Sequence, residues 1–320
     1  MIHKNSLFII EIKKTCKQLF INVLLILFFN IVFHAQQTPH YTQYLYNMQV
    51  LNPAFVGANA DLSISVLSRQ QWVGVQGAPE TNTFSINGRT YNGLGFGATV
   101  INDKIGLSNS TNVNLDASYT IPTSKYGRLS FGLKGGMTFF SNNLSNGITP
   151  DNDIYASNTG KFSNIGFGGL FYNNKFFVGL SVPNLLKSSQ FITYETFNKN
   201  ARLSNSNFFL VAGAIYNLSN NFKIKPTTII KYNTTVPISI DFNSNFIYKN
   251  KIETGLSYRY NNSMSAMFAL IIKEKFRIGY SYDSKLVSYG DNLSSHELIL
   301  RFDLDLKRDK RWLFHNQCFF

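Results

Sequence analysis

The chain alternates. Between about residues 61 and 305, run after run sets apolar or aromatic side chains at every second position, with small or polar ones between them. Val113, Leu115, Ala117, Tyr119 and Ile121 interleave with Asn112, Asn114, Asp116, Ser118 and Thr120. Leu298, Leu300, Phe302 and Leu304 stand against Glu297, Arg301, Asp303 and Asp305. A period of two marks a β-strand with two unlike faces. Fourteen strands are predicted, near 61–69, 81–89, 92–102, 110–121, 127–140, 161–172, 175–182, 206–217, 222–233, 236–248, 251–260, 264–273, 276–283 and 294–305. Many exceed the roughly five or six residues usual in globular sheets. They approach the roughly 9–11 of a tilted membrane strand.

The connections add a second pattern. Gaps at 70–80, 103–109, 141–160, 183–205 and 284–293 are long, whereas the intervening ones are short, as at Asn173-Asn174, Lys249-Asn250 and Glu274-Lys275. Long outer loops and tight periplasmic turns are the asymmetry of outer-membrane barrels, and an even strand count brings both barrel ends to the periplasmic side. The expected fold is therefore all-β: a transmembrane outer-membrane β-barrel of about 14 antiparallel strands, with an N-terminal periplasmic segment. The competing reading is a soluble, secreted β-sandwich adhesin. Trp72, Tyr91, Tyr119, Tyr126, Tyr172, Tyr232, Tyr248, Tyr260 and Tyr282 fall near strand ends. There such rings suit a water–lipid boundary, although tyrosine is also common in strands generally.

The amino terminus has a different pattern. Lys4, Lys13, Lys14 and Lys17 precede the apolar run LFINVLLILFFNIVF at 19–33, then His34 and Ala35. This is the layout of a signal peptide, with cleavage expected after Ala35. The apolar core is short of the roughly 20 residues of a spanning helix, so a retained anchor is the alternative. The expected organisation is a signal peptide at 1–35, a periplasmic or plug-like segment at 36–60, the barrel at 61–305 and a basic, aromatic periplasmic tail at 306–320. Tyr41, Tyr44, Leu45, Tyr46, Met48, Leu51, Pro53 and Phe55 make 36–60 too apolar for a free tail. It is expected to be ordered, either inside the barrel or beneath it.

The net charge of +13 changes little. Basic residues are scattered except at Lys307-Arg308-Asp309-Lys310-Arg311, which favours a solvated rim over a nucleic-acid surface. Cys16 lies in the leader, so Cys318 has no partner for an internal disulfide. The five histidines lack zinc spacing. No nucleophile elbow, metalloprotease helix or phosphate loop occurs, and neither an enzyme nor a cofactor is expected. Asp151 and Asp153 fall short of a calcium loop. Ser294 and His296 share a strand face without the third group that orients a base. Arg89, Asp116, Lys134, Lys231, Asp241, Glu253, Arg259, Arg277 and Arg301 are candidate lumen charges. They either line a channel or neutralise one another in a closed network.

Residues 36–80 carry the most specific pattern: Asn52-Pro53-Ala54, Gly57, Arg69-Gln70-Gln71-Trp72 and Gly77-Ala78-Pro79. Further along come Gly93-Leu94-Gly95 with Asp103 and Gly106, then Tyr172 with Gly179-Leu180-Ser181. Gly255 with Tyr258-Arg259, the run Arg277 to Asp283, and Ser295-His296-Glu297 follow. This ordered set resembles the PorP/SprF family of type IX secretion and gliding proteins of Bacteroidota, over essentially the whole mature chain. The resemblance implies a non-enzymatic outer-membrane barrel that supports export or surface anchoring of a large adhesin through the adhesin's C-terminal domain. Periplasmic components of the secretion or gliding machinery are further implied partners, and outer-membrane lipid surrounds the barrel. The runner-up is a porin-like channel for small solutes. Arg69, Gln70, Gln71, Trp72, Phe191, Tyr194 and Phe197 are the expected partner-binding residues. Asn52, Pro53, Ala54, Gly57, Gly77, Pro79, Tyr282, Asp283, His296 and Glu297 are expected to be structural, with Arg69 and Glu80 pairing near the rim.

Overall fold

The structure, a computed structural model, describes residues 41–90, 92–143, 158–185, 206–233, 236–286 and 294–304. The leader, Tyr91, Asp151, Asp153, Phe191, Tyr194, Phe197 and the basic tail lie outside the described residues.

The strands are β1 (Leu62–Gln70), β2 (Glu80–Arg89), β3 (Leu94–Ile105), β4 (Ser108–Pro122), β5 (Arg128–Asn142), β6 (Asn158–Tyr172), β7 (Phe176–Val182) and β8 (Phe208–Ala214, resuming after Ile215 as Tyr216–Asn217). They continue as β9 (Phe222–Asn233), β10 (Val236–Tyr248), β11 (Ile252–Arg259), β12 (Ser263–Ile272), β13 (Phe276–Lys285) and β14 (Ser294–Leu304). Both pieces of β8 pair with β9, so they form one strand interrupted at Ile215. Each strand pairs antiparallel with its sequence neighbours, and β14 returns to β1 in register from Leu62↔Leu304 to Gln70↔His296. The result is a closed barrel of 14 antiparallel strands, and closure removes the ladder edges that lipid does not tolerate.

Its faces are inverted relative to a soluble protein. Leu115 is 67% exposed and the adjacent Asp116 is 3% exposed. Phe96, Phe131, Leu180, Leu256 and Phe268 face outward, while Arg69, Lys134, Glu253 and Arg277 are buried within. A water-soluble sandwich would do the reverse; a lipid exterior accounts for both sets.

Two sequence expectations are corrected. The gap at 103–109 is not a long loop, because β3 and β4 continue to a two-residue turn at Gly106-Leu107. Gly106 takes φ +58° there, a conformation glycine enters without steric cost. Tyr172 does not meet lipid: it is 3% exposed, on the inward-facing parity of β6. Tyr119, Tyr126, Tyr232, Tyr248, Tyr260 and Tyr282 do face outward. The connections 71–79, 143–157, 183–207 and 286–293 fall on one rim, and every connection on the other is tight, as at 173–175 and 249–251. The start of β1 and the end of β14 both lie on the tight-turn rim.

Candidate functional site

The lumen is occupied by the chain itself. Before β1, residues 41–61 run through it in three short 3-10 turns, Tyr44–Tyr46, Met48–Val50 and Pro53–Phe55. Tyr41 donates or accepts a 2.9 Å hydrogen bond with Thr83, beyond the middle of the wall toward the long-loop rim. Asp61 meets Arg89 at 2.8 Å at the tight-turn rim, so the segment descends most of the barrel's height.

Its sequence explains the form. A 3-10 turn closes with i to i+3 bonds and suits short pieces packed by side chains. Asn52 caps the last turn: its side chain accepts from the Ala54 amide at 2.8 Å, and Pro53 occupies the first helical position, where no N–H is needed. The Asn52 amide also donates to the carbonyls of Gly169 (3.1 Å) and Leu180 (3.3 Å) on the wall. Around the cap, Tyr44, Tyr46, Leu51, Ala54 and Phe55 form an apolar core with Leu170, Phe177 and Val211. Phe55 and Phe177 meet edge to face, with centroids 5.7 Å apart.

The wall makes room at glycines. A Cβ at Gly132 would stand 2.3 Å from the Ala54 nitrogen, and one at Gly168 would stand 2.0 Å from the Asn52 side-chain oxygen. No side chain larger than hydrogen fits between the wall and the Asn52-Pro53-Ala54 turn.

Charged groups complete the fit. Arg69 on β1 pairs with Asp283 on β13 at 2.5 Å and Glu297 on β14 at 3.1 Å. Glu297 accepts the backbone N–H of Thr42 (3.0 Å) and of Gln43 (2.8 Å), and the Thr42 hydroxyl donates to Asp283 at 2.6 Å. Lower in the lumen Arg301 donates to the Tyr46 carbonyl at 2.8 Å. The Tyr46 ring lies beneath the Arg277 guanidinium, 4.6 Å away, and both Arg277 (3.4 Å) and Lys225 (3.7 Å) pair with Glu253. On the opposite wall Lys134 lies 3.6 Å from Asp116 and donates to the carbonyls of Gln49 (3.1 Å) and Val50 (3.2 Å). The Gln49 amide donates to Asp116 at 2.9 Å. Arg259 forms a two-pronged pair with Asp241 at 2.7 and 2.8 Å. Arg69, Arg89, Lys134, Arg259, Arg277 and Arg301 thus each lie against a carboxylate inside the barrel. Buried pairs of this kind are costly to break from one side, because the remaining charge is stranded.

Burial also sets the chemistry of the segment. It pushes the Tyr44 phenol up to about 12, and raises those of Tyr41 and Tyr46 as well. All three are neutral at physiological pH.

The structure divides the predicted partner-binding residues. Arg69 is drawn into the lumen, and the expected pair with Glu80 does not form: Glu80 instead accepts from Asn82 at 2.9 Å. The two carboxylates already inside the barrel supply a closer and less solvated match. Gln70 is exposed at the end of β1, and Gln71 and Trp72 are half-buried at the start of the following loop. Trp72 adopts φ +49°, and the Lys285 ammonium sits 4.8 Å above its ring. The loop is tied down by Gln71 N–H to the Pro79 carbonyl, Val73 N–H to the Ser294 carbonyl and Gly106 N–H to the Gly77 carbonyl. It encloses a cleft of about 300 Å³ lined by Gln71, Trp72, Val73, Pro79 and Lys104.

The structural motif residues separate by parity. Asn52, Pro53, Ala54 and Gly57 belong to the lumen segment; Gly77 and Pro79 shape the first loop; Asp283 and Glu297 point inward to Arg69. Tyr282 and His296 pack against each other on the outer surface with centroids 5.3 Å apart, and His296 Nδ1 shares a 2.6 Å hydrogen bond with the Tyr280 hydroxyl. Gln43, Gln49 and Gly132 are not singled out by the sequence, whereas Gly168 stands among the small residues of the inward face. The same recurrence of small residues on the inward face is the signal for Gly132.

A closed outer-membrane barrel whose own amino-terminal segment fills its lumen is therefore the class that fold and site define. Residues 33–302 match the family described as type IX secretion system membrane protein PorP/SprF, and the chain belongs to that family. It is an outer-membrane β-barrel protein of the type IX secretion system family. No curated protein matches the sequence. Among solved structures it is similar to a KdgM porin, at 11% identity and a TM-score of 0.40 over 76% of this chain and 99% of that one. It is also similar to the Ralstonia pickettii toluene transporter TbuX, at 9% identity and a TM-score of 0.42 over 79% and 92%.

Proposed function

We propose that this barrel is a holding platform: it supports export or surface anchoring of a large adhesin through the adhesin's C-terminal domain, and does not conduct small solutes. The occupied lumen carries this reading. A conduit needs a continuous wet path, whereas here Arg69, Lys134, Arg277 and Arg301 are committed to carboxylates or to backbone carbonyls of residues 42–50. What remains for a partner is the rim. Gln70, Gln71 and Trp72 are the proposed contacts there, with Phe191, Tyr194 and Phe197 from the longest outer connection. An aromatic held by a cation beside a cleft of mixed polar and apolar lining suits a protein interface better than an ion filter, which needs a ring of matched ligands.

The test is affinity purification from native outer membranes after mild detergent extraction. Recovery of a large surface adhesin in near-equal amount supports the platform. Repeated recovery of the barrel alone, together with steady open-channel conductance, favours the porin reading.

A further inference from the structure

The tight-turn rim is basic. Among the described residues its connections carry Lys125, Lys175, Lys249, Lys251, Lys273 and Lys275, all exposed, against the one carboxylate of Glu274. On the opposite rim the described connections at 71–79, 106–107 and 260–262 carry no charge.

Four of these lysines fall on two neighbouring turns. Lys249-Asn250 joins β10 to β11 and is closed by Lys251 N–H donating to the Tyr248 carbonyl at 2.9 Å. Lys273-Glu274 joins β12 to β13 and is closed by Lys275 N–H donating to the Ile272 carbonyl at 3.1 Å. The turns are bound to each other and to the strands beside them. The Asn250 amide donates to Glu274 at 3.2 Å. Lys249 N–H donates to the Asn221 carbonyl, Ile271 N–H to that of Lys251 and Asp303 N–H to that of Lys275, each at 2.7 Å. The lysines therefore stand on a fixed surface.

The backbone gives a second, independent sign. Both turns have positive φ at both central residues: +49° and +53° at Lys249 and Asn250, +52° and +56° at Lys273 and Glu274. Glycine and asparagine enter that conformation most easily and lead in turns of this type. The outer rim follows the rule, with Asn261 at φ +50°. The two basic turns depart from it in the same way, each with lysine at the first central position. A side chain kept in a backbone conformation that disfavours it points to a use for that side chain.

The surface beside the turns faces lipid. Phe222 and Tyr248 are exposed at strand ends with ring centroids 4.8 Å apart, and the Lys249 ammonium lies 5.3 Å from the Tyr248 ring. Ile252 and Ile272 are exposed at the same level. Tyrosine and lysine meet in this way where hydrocarbon gives way to headgroups. The turns are two residues long, so the ammonium groups stay at that level and do not reach far into the periplasm. After Leu304 the chain continues from this rim with Lys307-Arg308-Asp309-Lys310-Arg311, a sequence with no net negative charge to offer them.

We infer that the two lysine turns form a headgroup site. They hold the phosphate of an anionic phospholipid in the periplasmic leaflet, with its acyl chains against Phe222, Tyr248 and Ile272. The site fixes the height of the barrel in the membrane from the side opposite the long loops.

Lipid retention by the purified full-length barrel tests it. The protein is titrated in detergent micelles with phosphatidylglycerol or phosphatidylcholine, and bound lipid is counted by native mass spectrometry. The unmodified barrel keeps phosphatidylglycerol in preference, and the preference weakens as ionic strength rises. Lys249→Asn, Lys251→Gln, Lys273→Asn and Lys275→Gln combined lower that preference at least about tenfold, without changing retention of phosphatidylcholine. Asparagine suits the positive φ, so the variant keeps or raises the heat-modification temperature. A lower temperature overturns the inference, because the lysines would then serve the fold. Full preference in the variant overturns it as well. Displacement of the lipid by inorganic phosphate at equal concentration overturns the lipid assignment in favour of a free anion. Equal retention of both lipids by the unmodified barrel also overturns it, and turns the patch toward an acidic protein surface.

Discussion

Arg69 and Glu297 face each other across the seam that closes the barrel. They are register partners on β1 and β14, and their side chains meet at 3.1 Å inside. The same carboxylate holds the amides of Thr42 and Gln43. The first strand, the last strand and the lumen segment are thereby tied at one point, with Asp283 as the second carboxylate.

Glu297→Ala breaks that tie from one side. It strands two buried amides and leaves Arg69 with Asp283 alone, a loss of about 3–5 kcal/mol for a buried pair. The expected outcome is faster hydrogen exchange at Thr42 and Gln43 and a lower heat-modification temperature. Glu297→Gln keeps the shape and one acceptor, and falls between the two. Unchanged exchange in Glu297→Ala would remove the seam from the account.

Gly132→Val fills the space taken by the Asn52-Pro53-Ala54 turn. Overpacking of a tight interior typically costs about 1–3 kcal/mol. The wall strands keep their pairing while the turn is expelled. Limited proteolysis should then cut between residues 41 and 60, where the unmodified protein resists.

The buried phenols predict an alkaline limit. Tyr44 titrates near 10.0 when unfolded and at about 12 in place. Its contribution is complete below pH 10 and is lost as pH rises from there through about 12, because only the displaced segment can ionise in that window. Ultraviolet titration should show a group of tyrosines ionising late, together with release of the segment. Simple early titration of every tyrosine contradicts the burial.

Much of the barrel was legible because strand faces impose a period of two. The strand set holds at 14, and Leu115 beside Asp116 shows the alternation resolved into lipid and lumen. Turn chemistry was harder to read. Gly106-Leu107 makes a tight hairpin from what reads as seven loop residues, because polar Ser108 to Asn112 extends a strand beyond the lipid. Arg69 was misplaced for a different reason. Sequence adjacency offers Glu80, whereas its carboxylates come from Asp283 and Glu297, over 200 residues away and adjacent only after closure. The aromatic residues from Tyr41 to Phe55 signalled order, but the position of their partners depends on the ring as a whole.

Residues 41–61 occupy the lumen and close the barrel from within. Conductance of the purified, unmodified protein in a planar bilayer, with Glu297→Ala measured alongside, decides whether they do. A plugged barrel is silent when unmodified and shows transient openings in the variant. Steady, ohmic conductance from the unmodified protein would contradict it.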